Sequence, residues 1–232
     1  MNFNKEVVSA QISAMRFTDS DIASDYQAIS NVTHNGRHFS TWDRRFQILC
    51  DKLAKNPRYQ QLIIPRGLWT FVATLDKDDS KLYVMMTEKN LSTRRHEVKM
   101  KGFSTHYGYS LIFINKGIET DSEQLEMIPD DKNQERRVKD LEKMLGEWVD
   151  QVTEVLISSF EYDHGKIISG SISLFDDNYR QVDRIDLSDQ ILHPIKKGDI
   201  QSNPDVVPQS QEPIVKMRTK RRSQEDKEKK KR

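Results

Sequence analysis

Trp69-Thr70-Phe71-Val72-Ala73-Thr74-Leu75-Asp76 alternates, with Trp69, Phe71, Ala73 and Leu75 on one parity and Thr70, Val72 and Thr74 on the other. A period of two sends successive side chains to opposite sides of an extended chain, so the stretch predicts a strand. Asp76 to Ser80 is a polar turn, and Leu82 to Met86 resumes an apolar run beyond it. Connections this short join antiparallel neighbours, because parallel strands need long crossovers. Further on, Tyr107, Tyr109, Leu111 and Phe113 alternate with Gly108, Ser110, Ile112 and Ile114, which predicts another strand. A last hairpin is expected from Ile168, Ile172 and Leu174, an Asp176-Asp177-Asn178 turn, and a return over Tyr179 to Leu187.

On either side of this sheet the period lengthens. Val8, Ile12 and Met15 recur at helical spacing, and Thr18 with Asp21 makes a capping box for a second helix carrying Ile22, Tyr26 and Ile29. Gly36 ends that segment. Ser40 with Asp43 is a further capping pair, opening a helix with Trp42, Phe46, Leu49 and Leu53 on one stripe, stopped by Asn56-Pro57. Pro129 and Asp130 announce a long helix whose seam runs Val138, Leu141, Leu145, Trp148, Val152 and Val155, with Gly146 inside it. The expected class is therefore α+β: an antiparallel sheet of five or six strands with three N-terminal helices and one long helix packed on it.

A chain of 232 residues is long enough for one well-buried domain without a covalent staple. Its one cysteine, Cys50, excludes an internal disulfide framework and reads as core. No apolar run approaches a membrane span, and Met1 to Phe17 lacks the apolar core of a signal peptide, so a cytoplasmic protein is expected. From Lys216 to Arg232 ten lysines and arginines face three acids, a balance of +7; the whole chain carries +1, which leaves Met1 to Val215 at −6. Pro204, Pro208 and Pro213 lie in a segment too poor in apolar residues to offset its ordering entropy. One domain over residues 1–195 is expected, followed by a disordered linker and basic tail over residues 196–232.

Most catalytic signatures are missing: no phosphate-cradling glycine loop, dinucleotide fingerprint, HExxH, CxxC pair or nucleophile elbow occurs. No cofactor, catalytic residue or metal site is assigned. His34 and His38 have the i, i+4 spacing of metal ligands, but Gly36 between them argues for a loop and no third ligand lies nearby. Glu97-Val98-Lys99 downstream of Asp76, Asp78 and Asp79 has the layout of a metal-dependent nuclease, although an acid two before a lysine recurs along this charged chain. The connection from Lys89 to His106 is the more informative feature. It carries Lys89, Arg94, Arg95, Lys99 and Lys101 against one acid, Glu97, with Phe103, Tyr107 and Tyr109 close by. Cations for phosphates and rings for bases are what single-strand and RNA binders use.

Gly36-Arg37-His38-Phe39-Ser40-Thr41-Trp42-Asp43-Arg44-Arg45-Phe46 and Tyr83-Val84-Met85-Met86-Thr87-Glu88-Lys89-Asn90 resemble an uncharacterised bacterial family. The resemblance covers most of the body and not the tail, and it implies no activity and no residue role. The expected function is thus a binding or regulatory protein that contacts nucleic acid through Arg94, Arg95, Lys99 and Lys101, assisted by Arg44 and Arg45, and through the tail. A metal-dependent phosphodiesterase built on Asp79, Glu97 and Lys99 is the alternative. A module for an acidic protein partner is a third, and oligomeric state is left open.

Overall fold

Trp69–Asp76 is the second strand (β2) of a six-stranded sheet in a computed structural model that describes residues 1–29, 32, 36–118 and 131–193. Its neighbours are Tyr59–Arg66 (β1) and Lys81–Thr87 (β3), followed by Glu154–Asp163 (β4), Lys166–Phe175 (β5) and Gln181–Asp186 (β6), paired in chain order. β1 and β2 close through Gly67-Leu68, with Arg66 opposite Trp69 and Gly67 at φ +67°. That left-handed backbone is what a two-residue hairpin turn asks of its first residue. The expected hairpin of β5 and β6 is present, with Asp176 Oδ1 accepting the N–H groups of Asn178 and Arg180 at 2.8 Å each.

Adjacent residues of a strand face opposite ways, and two serines show both layers. The Ser158 hydroxyl donates to Gln11 Oε1 (2.7 Å) on Lys5–Met15 (α1), while the Ser159 hydroxyl donates to Glu88 Oε2 (2.6 Å) on Glu88–Lys101 (α4). On the first face α1 buries Val8, Ile12 and Met15 as their spacing predicts, capped by Asn4, whose Oδ1 accepts the Glu6 N–H at 2.9 Å. Ala23–Ile29 (α2) follows; Asp21 Oδ2 accepts the Thr18 N–H at 2.7 Å as expected, but the pair closes a turn ahead of α2 and does not cap the helix. Arg37–Leu53 (α3) packs on α1 with Trp42, Phe46, Leu49 and Leu53 buried. It starts three residues before Ser40, so Ser40 and Asp43 are not its cap. The Ser40 hydroxyl bonds instead to the Gly36 carbonyl at 3.0 Å.

Four further expectations are corrected. The connection from Lys89 is largely the helix α4, capped by Thr87 Oγ1 on the Asn90 N–H (3.2 Å) and ended by left-handed Gly102. Only Leu91 and Val98 are buried on it, too thin a stripe to register as a period. Tyr107–Ile114 is no strand but a short helix, Tyr107–Leu111 (α5), and a 3₁₀ turn, Ile112–Asn115. Both parities of this run are buried, so its alternation carried no face information. The seam through Val155 breaks as well: Asp131–Leu145 (α6) stops where Gly146 turns left-handed (φ +54°), and Val155 belongs to β4. Pro129, Asp130 and His34 lie outside the described residues, as do residues 194–232 with the expected linker and tail.

Finally, the sheet is not wholly antiparallel. β3 and β4 run parallel from Lys81 opposite Glu154 to Thr87 opposite Phe160, because residues 88–153 form the crossover that such a pair needs. The crossover is fastened by Arg137 of α6, which is 2% exposed. Its guanidinium donates to the carbonyls of Tyr109 (2.7 Å) and Asp177 (2.6 Å) and lies 3.9 Å from the Tyr109 ring centroid and 4.6 Å from that of Phe113. Gly108 lets α5 approach this region closely, since a Cβ there would sit 2.5 Å from the Tyr179 hydroxyl. Arg137→Ala should lower stability by about 3 kcal/mol, because it strands two buried acceptors at about 1–3 kcal/mol each. Urea unfolding measures this; an unchanged midpoint would show that the crossover is held by other contacts.

Candidate binding cleft

The turn after β1, the first turns of α3 and α4 and the start of α5 meet around a cleft of about 660 Å³. α3 contributes His38, Phe39 and Trp42, placed on one side by helical spacing, and the Gly67-Leu68 turn contributes Arg66, Leu68 and Trp69. Met86 and Thr87 end β3 here, Asn90 follows one turn into α4, and Thr105, His106 and Tyr107 complete the wall.

Rings dominate it. Trp69 lies 5.8 Å from Trp42 and 5.9 Å from Phe39 between centroids, and 6.4 Å from the near-parallel His38 ring. Tyr107 stacks on Phe71 at 3.9 Å and meets His106 at 4.1 Å. Leu68 is 99% exposed and Phe39 45% exposed, an unusual place for large apolar side chains with nothing to cover them.

The polar groups are held in pairs. Arg66 Nη1 pairs with Asp140 of α6, and Arg94 Nη1 meets Glu97 at 2.9 Å. His106 caps α5, its Nδ1 accepting the Gly108 N–H at 3.1 Å. On the other side of the ring Nε2 lies 3.3 Å from the Asn90 side-chain nitrogen. Burial pushes the His106 pKa down to about 4, with Arg94 and Arg66 adding to the shift and Glu97 opposing it. At neutral pH the imidazole is an uncharged hydrogen-bonding wall.

The residues named from the sequence are distributed unevenly. Arg94 and Lys101 both lean on Glu97, at 2.9 and 3.5 Å, and Glu97 is held below the usual carboxylate range first by the Ser104 hydroxyl. Arg95 lies over the Phe175 ring at 5.2 Å, whereas Lys99 is exposed. On α3, Arg44 is exposed but Arg45 is 6% exposed. Arg45 Nε donates to the Phe17 carbonyl at 2.8 Å between the Trp42 and Tyr162 rings, which makes it a structural pin. Asp79, Glu97 and Lys99 do not form one cluster. Asp79 joins Asp76 and Asp78 around Arg58, at 2.8, 2.5 and 3.3 Å, and residues two apart on α4 do not share a face. Among the described residues no three His, Cys, Asp or Glu side chains are placed to hold a metal ion. No helix there is long and apolar enough to cross a membrane.

Sequence reading missed the cleft as a unit. A signal existed in the two stretches that carry the family resemblance, Gly36–Phe46 and Tyr83–Asn90: they supply six of the twelve lining residues.

The neutral His106 makes a testable contribution. Its folded pKa of about 4 lies below the ordinary 6.5, so between these values the unfolded chain binds a proton that the fold refuses. The stability this group contributes is fully present above about pH 6.5 and is lost as pH falls towards 4, by about 3 kcal/mol. His106→Asn keeps a capping acceptor without the titration, so over that interval wild type should lose about 3 kcal/mol more than the variant in denaturant unfolding. Parallel curves would refute the assignment.

No curated protein and no solved structure matches the chain. The match to a family runs over residues 2–232, and so, unlike the resemblance read from the two stretches, it takes in the basic C-terminal residues. By that match the chain belongs to DUF5986, a family of unknown function.

Proposed function

We propose that this protein is a non-enzymatic binder of single-stranded nucleic acid whose ring-lined cleft seats an unstacked base. The observation that carries the reading is the convergence of Phe39, Trp69 and Tyr107, from three separate elements, on one open cleft beside Arg66 and Asn90. Every base has a π-face, so aromatic platforms bind strands with little regard to sequence, while amide and guanidinium donors orient what is stacked. A cleft of about 660 Å³ lies within the range of small-ligand sites and accommodates a nucleotide. In this reading Arg44, Arg94, Arg95, Lys99 and Lys101 contact the strand's backbone, and buried Arg45 does not. The basic run from Lys216 raises the local concentration of polyanion without choosing its sequence.

An acidic protein partner is the second reading. It is favoured by Leu68, an exposed apolar side chain at the tip of the β1–β2 turn that suits a protein contact, while exposed cations such as Arg44 and Lys99 would meet the acids.

Fluorescence anisotropy with a labelled single-stranded oligonucleotide at low salt separates the two. Trp69→Ala should weaken binding by about 1–3 kcal/mol, the range for one stacked base, with circular dichroism confirming that the sheet is intact. An oligonucleotide affinity that ignores Trp69 would leave only the basic run as its source.

A further inference from the structure

Helix α6 carries Lys132, Arg136, Lys139 and Lys143, spaced 4, 3 and 4 residues apart, which sets them in one stripe along the helix. Eleven residues at 1.5 Å rise give the stripe a length of about 16 Å. The three lysines are exposed and Arg136 is half-buried. Together with Glu135 and Asp140 they line a shallow groove of about 370 Å³, separate from the ring-lined cleft.

Three acids oppose these four cations: Glu135, Asp140 and exposed Glu142, whose charge acts on Lys139. Glu135 takes Lys139 at 2.6 Å, an exposed contact of the kind that water and salt largely screen. Asp140 is taken by Arg66, a residue of the cleft wall. Lys132, Arg136 and Lys143 have no carboxylate partner among the described residues; Arg136 donates to the Ser104 carbonyl at 2.7 Å. The stripe is thus net positive on a chain whose residues 1–215 carry −6, and the Arg66–Asp140 pair joins it to the cleft.

We infer that this face of α6 is a phosphate track for the strand whose base sits in the cleft, taking about three to four consecutive nucleotides of single-stranded nucleic acid. The inference rests on the nucleic-acid reading of the cleft for its choice of polymer. An acidic peptide would meet the same cations but would find no use for the rings that adjoin them. Arg66 stands at the junction, where it lines the cleft and offsets the charge of Asp140, which lines the groove.

The test uses the full chain and two probes: a labelled oligothymidylate of about a dozen residues, within the range of single-strand site sizes, and thymidine 5′-monophosphate followed by tryptophan fluorescence. Lys132→Glu, Lys139→Glu and Lys143→Glu are combined, sparing Arg136 because it holds the Ser104 carbonyl. The oligonucleotide should bind roughly tenfold or more weaker, and the slope of log affinity against log salt should fall by about 2, the share of three phosphate contacts on a single strand. Mononucleotide binding should be unchanged. Exposed Lys52, Lys55 and Lys166 reversed together make a control of equal charge; a loss as large in that variant would reduce the effect to net charge and overturn the track. Unchanged oligonucleotide affinity and slope in the α6 variant would overturn it too, while a Trp69→Ala loss beside them would leave the cleft reading standing. Conversely, loss in the α6 variant with none in Trp69→Ala would support the track and remove the cleft. Tighter capture of polyglutamate than of oligonucleotide would overturn the proposal in favour of an acidic protein partner.

Discussion

A buried guanidinium with no carboxylate in ion-pair contact among the described residues, only the Asp177 charge nearby, is the constraint on which this fold turns. Burial lowers the pKa of Arg137, yet an arginine stays charged in a protein, so its charge must be met by what surrounds it. Two backbone carbonyls and two ring faces meet it, and they come from α5, the 3₁₀ turn and the β5–β6 turn. Moving any of these would leave the charge exposed to an apolar core. Asn115 does the same for the seam below: its side chain donates to the carbonyls of Val155 (2.9 Å) and Phe175 (2.7 Å) and accepts the Val155 N–H (2.8 Å). With the crossover fastened at both points, β4 can lie parallel to β3 in the centre of the sheet.

The cleft is a consequence of that parallel pair. A strand followed by a crossover must hand over to a helix at its carboxyl end, and such ends are where open sheets leave a crevice. Here the crevice is walled by α4 and α5 on one side and by α3 with the β1–β2 turn on the other. Among the described residues its one lining arginine, Arg66, holds an acid, which fixes its geometry and mutes its charge, and nearby Arg94 holds another. Selectivity inside the cleft therefore falls to the rings and to neutral polar side chains such as Asn90. The less restrained charge lies outside, on α6.

α3, buried on one face and wet on the other, announced itself by its stripe through Leu53, and α1 by the helical spacing of Val8, Ile12 and Met15. β2 and β3 are buried on both faces, and they were legible as apolar runs bounded by polar turn residues, as the β5–β6 hairpin was by its turn. Legibility failed where no such boundary or stripe marked the element. Tyr107 to Asn115 is buried on most sides, so its alternation described no face. The helix α4 has the opposite defect, too few buried residues to form a stripe, and its caps at Thr87 and Gly102 carried the only signal. The seam through Leu145 continued past Gly146 on paper because heptad spacing says nothing about a left-handed backbone. For the site, charge counting along the chain found the cations of α4 but could not tell exposed Arg44 from its buried neighbour Arg45.

The sequence by itself determined the α+β class, the three leading helices, most of the strands and the contrast between a mildly acidic body and a basic end. Each follows from local periodicity or from composition, which need no partner to be read. Tertiary structure alone decided the parallel pairing of β3 with β4, the burial of Arg137 and Arg45, and the meeting of Gly36–Phe46 with Tyr83–Asn90 around one cleft. Those outcomes depend on which distant segments come to share a boundary, and a one-dimensional pattern does not encode that. A charge is a solvated surface group or a structural pin according to what packs over it, and here the packing comes from residues tens of positions away.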